Sequence, residues 1–322
     1  MPSYYSHSQL TKLASCPRAY KFQYEDRVKT RLEPQFFVVG TCVENAINAY
    51  LLARDDGKDI GVEGLLGVFD RTWELEVLKR ASSKKKIDWK DADPDEIRKT
   101  IRGLVETFPA RGAPYIKRVY LTQARLALDA PLGLSRDFLG FADFIADVYL
   151  PRDCERCKGD GSVQVPQKKD PKKTKSAPCD SCAASGMKPT QVAVLAVIDL
   201  KTASQKWSKL QATADSQATE YVWTVQRMPP LVAGTKTLPA PTHAGYLVGV
   251  KSKAAIWQFH LREPSPFDFM EVESALKAHE TLIRSGERPR NPGYAGRNCD
   301  WCDFRSLCWE PGKAGETLIL KS

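Results

Sequence analysis

The stretch VAVLAVIDLK, residues 192–201, decides the fold of this chain. Its first seven residues are apolar and rich in valine, which is typical of a strand that is buried on both faces of a sheet. The run ends at Asp199 and Lys201, whose side chains share a face because side chains alternate along a strand. A buried carboxylate costs free energy unless an ammonium group or a metal ion compensates it. The stretch therefore predicts either an ion pair at a strand end or a polar site built on the central sheet.

The pattern on both sides of this strand is that of an α/β protein. Alternating and helical periodicities predict further strands in the middle and late parts of the chain and helices mainly in its first third. The predicted strands are residues 119–128, 138–150, 244–250 and 256–261. The predicted helices are residues 8–24 with a break at Cys16-Pro17, 36–52, 62–80, 93–107, 205–227 and 266–285. These elements predict a sheet flanked by helices, preceded by a helical N-terminal region.

Length and composition exclude several classes of protein. The chain has 322 residues, 42% hydrophobic and 27% charged, which suffices for one large domain or two ordinary ones. It has no uninterrupted apolar run of about 18 residues. Residues 1–13 lack the hydrophobic core of a signal peptide, so we expect a cytoplasmic protein without a membrane span. Its formal net charge of +9 is compatible with binding of nucleic acid.

Four of the nine cysteines form two Cys-x2-Cys pairs within a segment poor in apolar residues, residues 151–189. This segment separates two predicted strands and cannot build its own core, so we expect an insertion held by metal. The four cysteines are Cys154, Cys157, Cys179 and Cys182. Two such pairs are typical of a structural zinc site with four thiolate ligands, a zinc ribbon. The insertion also carries lysines that are either a solvated loop or contacts to phosphate: Lys168, Lys169, Lys172, Lys173 and Lys175.

A second cysteine group, Cys299-x2-Cys302-x5-Cys308, lies near the C-terminus and lacks a fourth local ligand. Cys16, beside Pro17, is the obvious distant candidate, and a site that includes it would join the two ends of the chain. Spacing alone does not distinguish zinc from an iron–sulfur cluster here. The remaining cysteine, Cys42, is interpreted as a small core residue.

A further carboxylate, Asp143, ends the motif Gly140-Phe141-Ala142-Asp143 on a predicted strand. Asp143, Asp199 and Lys201 around Mg²⁺ are the groups that metal-assisted hydrolysis of a phosphodiester needs. The metal activates water and neutralises charge on the phosphate, while the lysine positions the nucleophile.

Two other motifs are ordinary when each is considered alone. Glu44, in Gly40-Thr41-x2-Glu44, places a carboxylate inside an otherwise apolar helix. Gln217 and Tyr221 are four residues apart and share one face of a predicted helix.

Taken in order, these motifs resemble the PD-(D/E)XK nuclease superfamily over almost the whole chain. They are similar in particular to RecB-like exonucleases with an iron–sulfur staple, including CRISPR-associated and AddB-type nucleases. The ordered set is Cys16-Pro17-Arg18-x-Tyr20, Gly40-Thr41-x2-Glu44, Gly140-x2-Asp143, Ile198-Asp199-Leu200-Lys201-Thr202, Gln217-x3-Tyr221 and Cys299-x2-Cys302-x5-Cys308. The zinc-ribbon insertion is not part of the common core of such proteins.

The resemblance implies a restriction-endonuclease-like fold, with a mixed central sheet, and a role for each motif. Asp143, Asp199, the Leu200 carbonyl and Glu44 would bind Mg²⁺ or Mn²⁺, and Lys201 would be the catalytic lysine. Gln217 and Tyr221 would contact the DNA strand. The ligands of a structural [4Fe–4S] cluster would be Cys16, Cys299, Cys302 and Cys308.

The sequence thus predicts four parts: a helical region (1–110), a nuclease core (111–150 and 190–286), a zinc ribbon (151–189) and an iron–sulfur segment (287–322). The expected activity is a Mg²⁺- or Mn²⁺-dependent DNA exonuclease that acts on single strands or ends. Two alternatives are open: a non-catalytic adaptor that positions DNA for another enzyme, and an end-trimming enzyme with protein partners in recombination or CRISPR adaptation. The sequence does not determine the polarity of the exonuclease.

Overall fold

The computed structural model describes residues 3–83, 85–167, 173–252, 255–300, 302–310 and 318–319. Its centre is a mixed six-stranded sheet. The strands are β1 (Tyr4–Tyr5), β2 (Ile116–Leu128), β3 (Asp137–Asp153), β4 (Met187–Ala203), β5 (His243–Val250) and β6 (Ile256–Arg262). Their order is β1-β3-β4-β5-β6, and β2 also pairs with β3. Strands β1 and β3 run parallel, as do β4 and β5, and the other pairs are antiparallel.

Helices cover both faces of this sheet. They are α1 (His7–Ser15), α2 (Gln35–Asp55), α3 (Gly61–Ala81), α4 (Pro94–Glu106), α5 (Lys209–Ala214), α6 (Gln217–Val225) and α7 (Pro266–Ser285). Shorter helical turns are Pro17–Tyr20, Lys21–Glu25, Phe108–Arg111, Ala113–Tyr115, Pro131–Gly133, Asp180–Cys182, Tyr294–Gly296, Arg297–Asp300 and Arg305–Trp309. Two-stranded pairs join Lys29–Thr30 to Leu318–Ile319, Leu32–Pro34 to Lys86–Asp88, Ser162–Pro166 to Thr174–Pro178, and Val232–Ala233 to Lys236–Thr237.

The core consists of two apolar layers, one on each side of the sheet. Helices α2, α3 and α4 pack on one face, around buried residues such as Ile47 and Phe69. Helices α1, α6 and α7 pack on the other, around residues such as Trp223. A local signal starts α4: the Asp93 side chain accepts the Asp95 N–H at 2.9 Å and so caps the first turn of the helix.

The predicted strands are confirmed and are longer at one or both ends, and most predicted helices are confirmed. The predicted single helix 205–227 is wrong, because residues 204–208 are not helical and the rest is divided into α5 and α6. The division occurs at Asp215, whose backbone is extended and whose Oδ1 accepts the Gln217 N–H at 3.1 Å and the Tyr246 hydroxyl at 2.6 Å. A side chain that bonds to nearby backbone in this way competes with helix continuation.

Helix α2 is long and apolar enough, by length and composition, to cross a membrane. The criterion of an uninterrupted apolar run missed it because Glu44 lies at its middle. In the structure Val43, Ile47 and Leu51 are fully buried against the core. Helix α2 therefore packs here as a core helix that carries Glu44.

Candidate active site and metal centres

The candidate active site lies where β3 and β4 separate. Their pairing ends at Phe144 and Ile198. Strand β4 continues past this point to Ala203, paired only with β5 on its other edge among the described strands. Strand β2 pairs with one edge of β3 as far as Phe138. Strand β1 also pairs with β3 at Phe138, so it lies on the opposite edge, the same edge that pairs with β4 farther along β3. In the part of the chain that the structure describes, residues 139–143 have no strand partner on that edge. The sheet therefore opens at Asp143.

The two predicted aspartates meet at this opening. Asp143 Oδ2 accepts the backbone N–H of Leu200 at 2.7 Å, which substitutes for the missing ladder contact between the strands. Asp199, next to Leu200, is only 3% exposed. The N–H of Leu200 thus binds the Asp143 carboxylate. That the Leu200 carbonyl contacts a metal ion stays a prediction.

Lys201, Gln217 and Tyr221 continue the site as a chain of polar contacts. Lys201 Nζ lies 2.8 Å from Asp199 Oδ2 and donates to Gln217 Oε1 at 2.6 Å. Gln217 Nε2 in turn donates to the Tyr221 hydroxyl at 3.0 Å. Burial raises the pKa of Tyr221 to about 12, so its hydroxyl stays protonated and can donate to a phosphate oxygen.

Gly140 leaves room for the ring of Tyr221. A Cβ at this position would lie 2.5 Å from Cε1 in the buried ring of Tyr221. We expect Gly140→Ala to lower the free energy of unfolding by about 1–3 kcal/mol because of overpacking. Urea unfolding measures this change.

Gly103→Ala is the matched control, since a Cβ there meets nothing within 4 Å and the residue lies inside helix α4. It should leave stability unchanged or raise it by about 0.5–1 kcal/mol. Equal effects of the two substitutions would contradict the steric role of Gly140.

Glu44 is connected to Asp143 through a residue that sequence reasoning missed, Gln123 on β2. Gln123 Nε2 donates to Glu44 Oε1 and, at 3.1 Å, to Asp143 Oδ1. The backbone of Gln123 has φ +47°, a left-handed conformation that is uncommon outside glycine and concentrates at functional sites. No sequence signal could have identified it, because one polar residue on a strand normally faces solvent.

Asp215 is a second missed residue. By accepting the Gln217 N–H it fixes the first turn of α6, and Tyr246 holds Asp215 in turn. The Asp-Ser pair immediately before Gln217 is a helix-start signal that could have revealed it.

The carboxylates repel one another and are buried, and both effects favour their protonated forms. Burial, followed by the charge of Glu44, raises the pKa of Asp143 to about 6. Burial raises the pKa of Asp199 to about 7, although Lys201 acts in the opposite direction. Burial, together with Asp199, also raises the pKa of Glu44.

This group fits a hard divalent cation. Asp199 Oδ2 is buried and has no well-aligned hydrogen-bond donor among the described residues. Three clustered carboxylates, from Glu44, Asp143 and Asp199, are the oxygen ligands that Mg²⁺ and Mn²⁺ prefer. A cation here would relieve the repulsion that raises their pKa values.

The four cysteines of the insertion form a second candidate centre, as predicted. Their sulfur atoms lie within 4.8 Å of one another, and all four side chains are buried. Beyond these cysteines, the apolar cluster of the insertion contains only the partly buried Val163 among the residues that the structure describes. The group could hold a metal ion, and its geometry is that of a closed four-ligand site.

The two Cys-x2-Cys turns repeat one backbone pattern. Gly161 N–H donates to Cys157 Sγ at 3.2 Å, and Gly186 N–H donates to Cys182 Sγ at 3.3 Å. Both glycines have positive φ. A Cβ on Gly186 would lie 2.1 Å from the carbonyl oxygen of Gly159 in the other turn. The turns thus pack backbone against backbone, which only glycine permits at these positions.

Of the insertion's lysines, Lys168, Lys169 and Lys172 lie outside the described residues. Lys175 is on the strand Thr174–Pro178 and is exposed. A contact of these lysines with phosphate stays a prediction.

The structure also brings together Cys16, Cys299, Cys302 and Cys308, which line one small cavity. Asn291 N–H donates to Cys16 Sγ at 3.5 Å. Within the described part of the chain, no three of these sulfur atoms lie within 4.8 Å of one another, in contrast to those of the insertion.

Fold and site together define a class of protein. It has a mixed α/β fold, consistent with a restriction-endonuclease-like fold, and its sheet opens at the buried Asp199, the half-buried Asp143 and Lys201. The model of the PD-(D/E)XK nuclease superfamily matches residues 4–147 and 190–309. The chain belongs to this superfamily, whose nucleases use divalent metals. The match leaves out residues 148–189, which include the four-cysteine insertion. No curated protein matches the chain.

Proposed function

We propose that this protein is a Mg²⁺- or Mn²⁺-dependent deoxyribonuclease that degrades DNA exonucleolytically, from ends or on single strands. The observation that carries the proposal is the convergence of Asp143, Asp199 and Lys201 where β3 and β4 separate. A structural ion pair would explain Asp199 and Lys201 alone. It would not explain why Asp143, Glu44 and Gln123 converge on the same point.

Glu44, Asp143 and Asp199 would hold the metal ion, with the Leu200 carbonyl as a further ligand. When bound, the metal would supply an activated water and neutralise charge on the scissile phosphate. Lys201 would orient the attacking water and stabilise the developing charge, because its ammonium group is held between Asp199 and Gln217.

Gln217 and Tyr221 would position the strand. Their polar groups lie on the face of α6 that points toward Lys201, and Asp215 fixes the start of that helix. A strand held there would present a phosphate to the ammonium group of Lys201.

We further propose that Cys16, Cys299, Cys302 and Cys308 hold a structural [4Fe–4S] cluster and that the insertion holds structural Zn²⁺. Such an iron–sulfur cluster would support a relationship to RecB-like, CRISPR-associated and AddB-type nucleases. The process would be recombination, repair, replication or CRISPR adaptation in the cytoplasm, with or without partner proteins.

The contribution of Asp143 and Asp199 to the stability of the metal-free protein should decrease as pH rises. Between about pH 4 and about pH 7 the raised pKa values of Asp143 and Asp199 mean that the folded state binds more protons than the unfolded state. The contribution of these groups to stability is therefore present at low pH and lost as pH rises through this range. Since Mn²⁺ competes with protons, it should raise Tm more at pH 8 than at pH 5.

Thermal unfolding of wild type and Asp199→Asn across this range, in EDTA and in Mn²⁺, measures the effect. The difference between the two proteins isolates Asp199 from other titrating groups. A difference in Tm that does not change with pH would contradict the prediction.

The nuclease proposal is tested with anaerobically purified protein and end-labelled single- and double-stranded DNA in Mg²⁺, Mn²⁺ or EDTA. We expect metal-dependent loss of nucleotides from ends, and the label position gives the polarity. Binding of DNA without cleavage of any substrate would overturn the proposal and favour the adaptor function.

A further inference from the structure

A cavity of about 290 Å³ lies where β3 ends and β4 begins, beside the cysteine insertion, and none of the three carboxylates of the candidate active site lines it. Its walls come from the ends of β3 and β4, from α5 and α6, and from β5 and β6. The polar residues that matter are Arg152, Lys209, Tyr246, His260 and Arg262. Its volume is at the lower limit of small-molecule sites, about 300 Å³.

His260 is the unusual group in this cavity. The residue is 8% exposed, and its Nε2 has no hydrogen-bond partner among the described residues. Burial, with Lys209 nearby, lowers the pKa of His260 to about 4, so the ring is neutral. The nearby side chain of Gln258 forms hydrogen bonds with the backbone of Trp207 instead: it accepts the Trp207 N–H at 2.8 Å and donates to the Trp207 carbonyl at 3.1 Å. An unpaired buried nitrogen costs free energy that a ligand group would recover.

Three cations surround the cavity, and Asp153 is the one carboxylate in its described lining. Lys209 Nζ lies 3.3 Å from Asp153, and Arg152 pairs with Glu155 outside the cavity. Arg262 pairs with Asp268 at 2.8 Å and donates to Thr219 at 2.8 Å, whereas Arg152 and Lys209 each have more N–H donors than one carboxylate partner uses. The entrance can therefore accept a further anion, and phosphate suits guanidinium and ammonium groups.

The rest of the wall is mostly apolar, with two hydroxyl groups from Thr213 and Thr219. Phe259, Met187 and Ala212 line it beside the ring of Tyr246. Such a surface accepts the flat face of a nucleobase, while the ring nitrogen of His260 is available to its polar edge.

The cavity is also connected to the catalytic residues. The Tyr246 hydroxyl donates to Asp215 and accepts the Ala218 N–H at 3.0 Å, so it supports the helix that carries Gln217. An occupant of the cavity would thus touch a residue that fixes the strand-positioning helix.

We propose that this cavity binds one nucleotide unit, with its base against the apolar wall and His260 and its phosphate at Arg152 and Lys209. The inference rests on the proposed action on DNA. The nucleotide is either part of the bound strand or the released mononucleotide.

The test measures binding of dAMP in EDTA, by calorimetry, to wild type and to the double variant Arg152→Ala/Lys209→Ala. The matched control is Lys99→Ala/Arg102→Ala on α4, which removes the same charges from exposed ion-paired residues away from the cavity. We expect the double variant to weaken dAMP binding by about tenfold or more and the control by less than about twofold. A second variant, His260→Phe, keeps the aromatic volume and should also weaken binding.

Competition with a short single-stranded oligonucleotide distinguishes the two sources. Displacement of the labelled oligonucleotide by dAMP supports a nucleotide of the bound strand, and dAMP binding without displacement supports the released product. Absence of dAMP binding to wild type, or equal affinity in the double variant, overturns the inference. DNA cleavage by the same wild-type preparation in Mn²⁺ tests the proposed function separately.

Discussion

Lys201→Ala should abolish DNA cleavage, lowering the rate by about 10³-fold. In the structure this ammonium group is fixed by Asp199 and Gln217, beside the aspartate pair. Once it is removed, the metal ion alone would have to orient the water and stabilise charge on the phosphate. The loss should appear in kcat rather than in KM, because the lysine acts on the reacting phosphate.

The lysine also compensates the buried charge of Asp199, so loss of activity must be separated from loss of structure. Lys201→Ala is checked by circular dichroism, Tm and metal content, and Lys201→Arg provides a variant that keeps the charge but not the compact ammonium group. Lys251→Ala is the matched control: Lys251 is also a half-buried lysine at the end of a central strand. It should cleave DNA at the wild-type rate. If a folded Lys201→Ala protein keeps more than about a tenth of wild-type activity, the catalytic role of Lys201 is wrong.

Strand β4 shows how much of the site local sequence patterns can predict. Its apolar run and its alternation are local properties, so they predict a buried strand and a shared face for Asp199 and Lys201. Asp143 was predictable for the same reason, since it ends a short motif on a strand. The opening between β3 and β4 depends on how two distant segments pair, and no local pattern contains that information.

Gln123 illustrates what local patterns miss. Its importance comes from a left-handed backbone conformation and from two carboxylates that lie 79 and 20 residues away in sequence. The break between α5 and α6 is an intermediate case. Asp215-Ser216 was a visible helix-start signal, but helical periodicity on both sides of it obscured the boundary.

The cysteine insertion was the most predictable part of the protein, because ligand spacing determines geometry at short range. What the sequence did not reveal is how the turns support each other. The N–H groups of Gly161 and Gly186 donate to cysteine sulfur atoms, and each turn packs on the backbone of the other. The site is therefore built by both ligands and backbone, and the two contributions can be tested separately.

Cys182→Ser should release the metal ion of the insertion and unfold the insertion while the nuclease core stays folded. Metal binding supplies about 10–16 kcal/mol to the folding of small thiolate-ligated units. Apart from Val163, the described part of the insertion has no apolar cluster to replace that contribution. Metal analysis should find one zinc ion fewer per chain, and hydrogen exchange should show loss of protection around residues 154–186 alone.

Two variants make this interpretation specific. Cys42→Ala removes a fully buried cysteine from the core, so it should lower stability by packing loss and leave the metal content unchanged. Gly186→Ala keeps every ligand but brings a Cβ to 2.1 Å from a backbone oxygen at a positive φ. We expect it to weaken metal retention as well, because the thiolates can face one ion only while the two turns stay in contact. Protection that persists in metal-free Cys182→Ser would instead mean that contacts with the nuclease core, rather than the metal, hold the insertion in place.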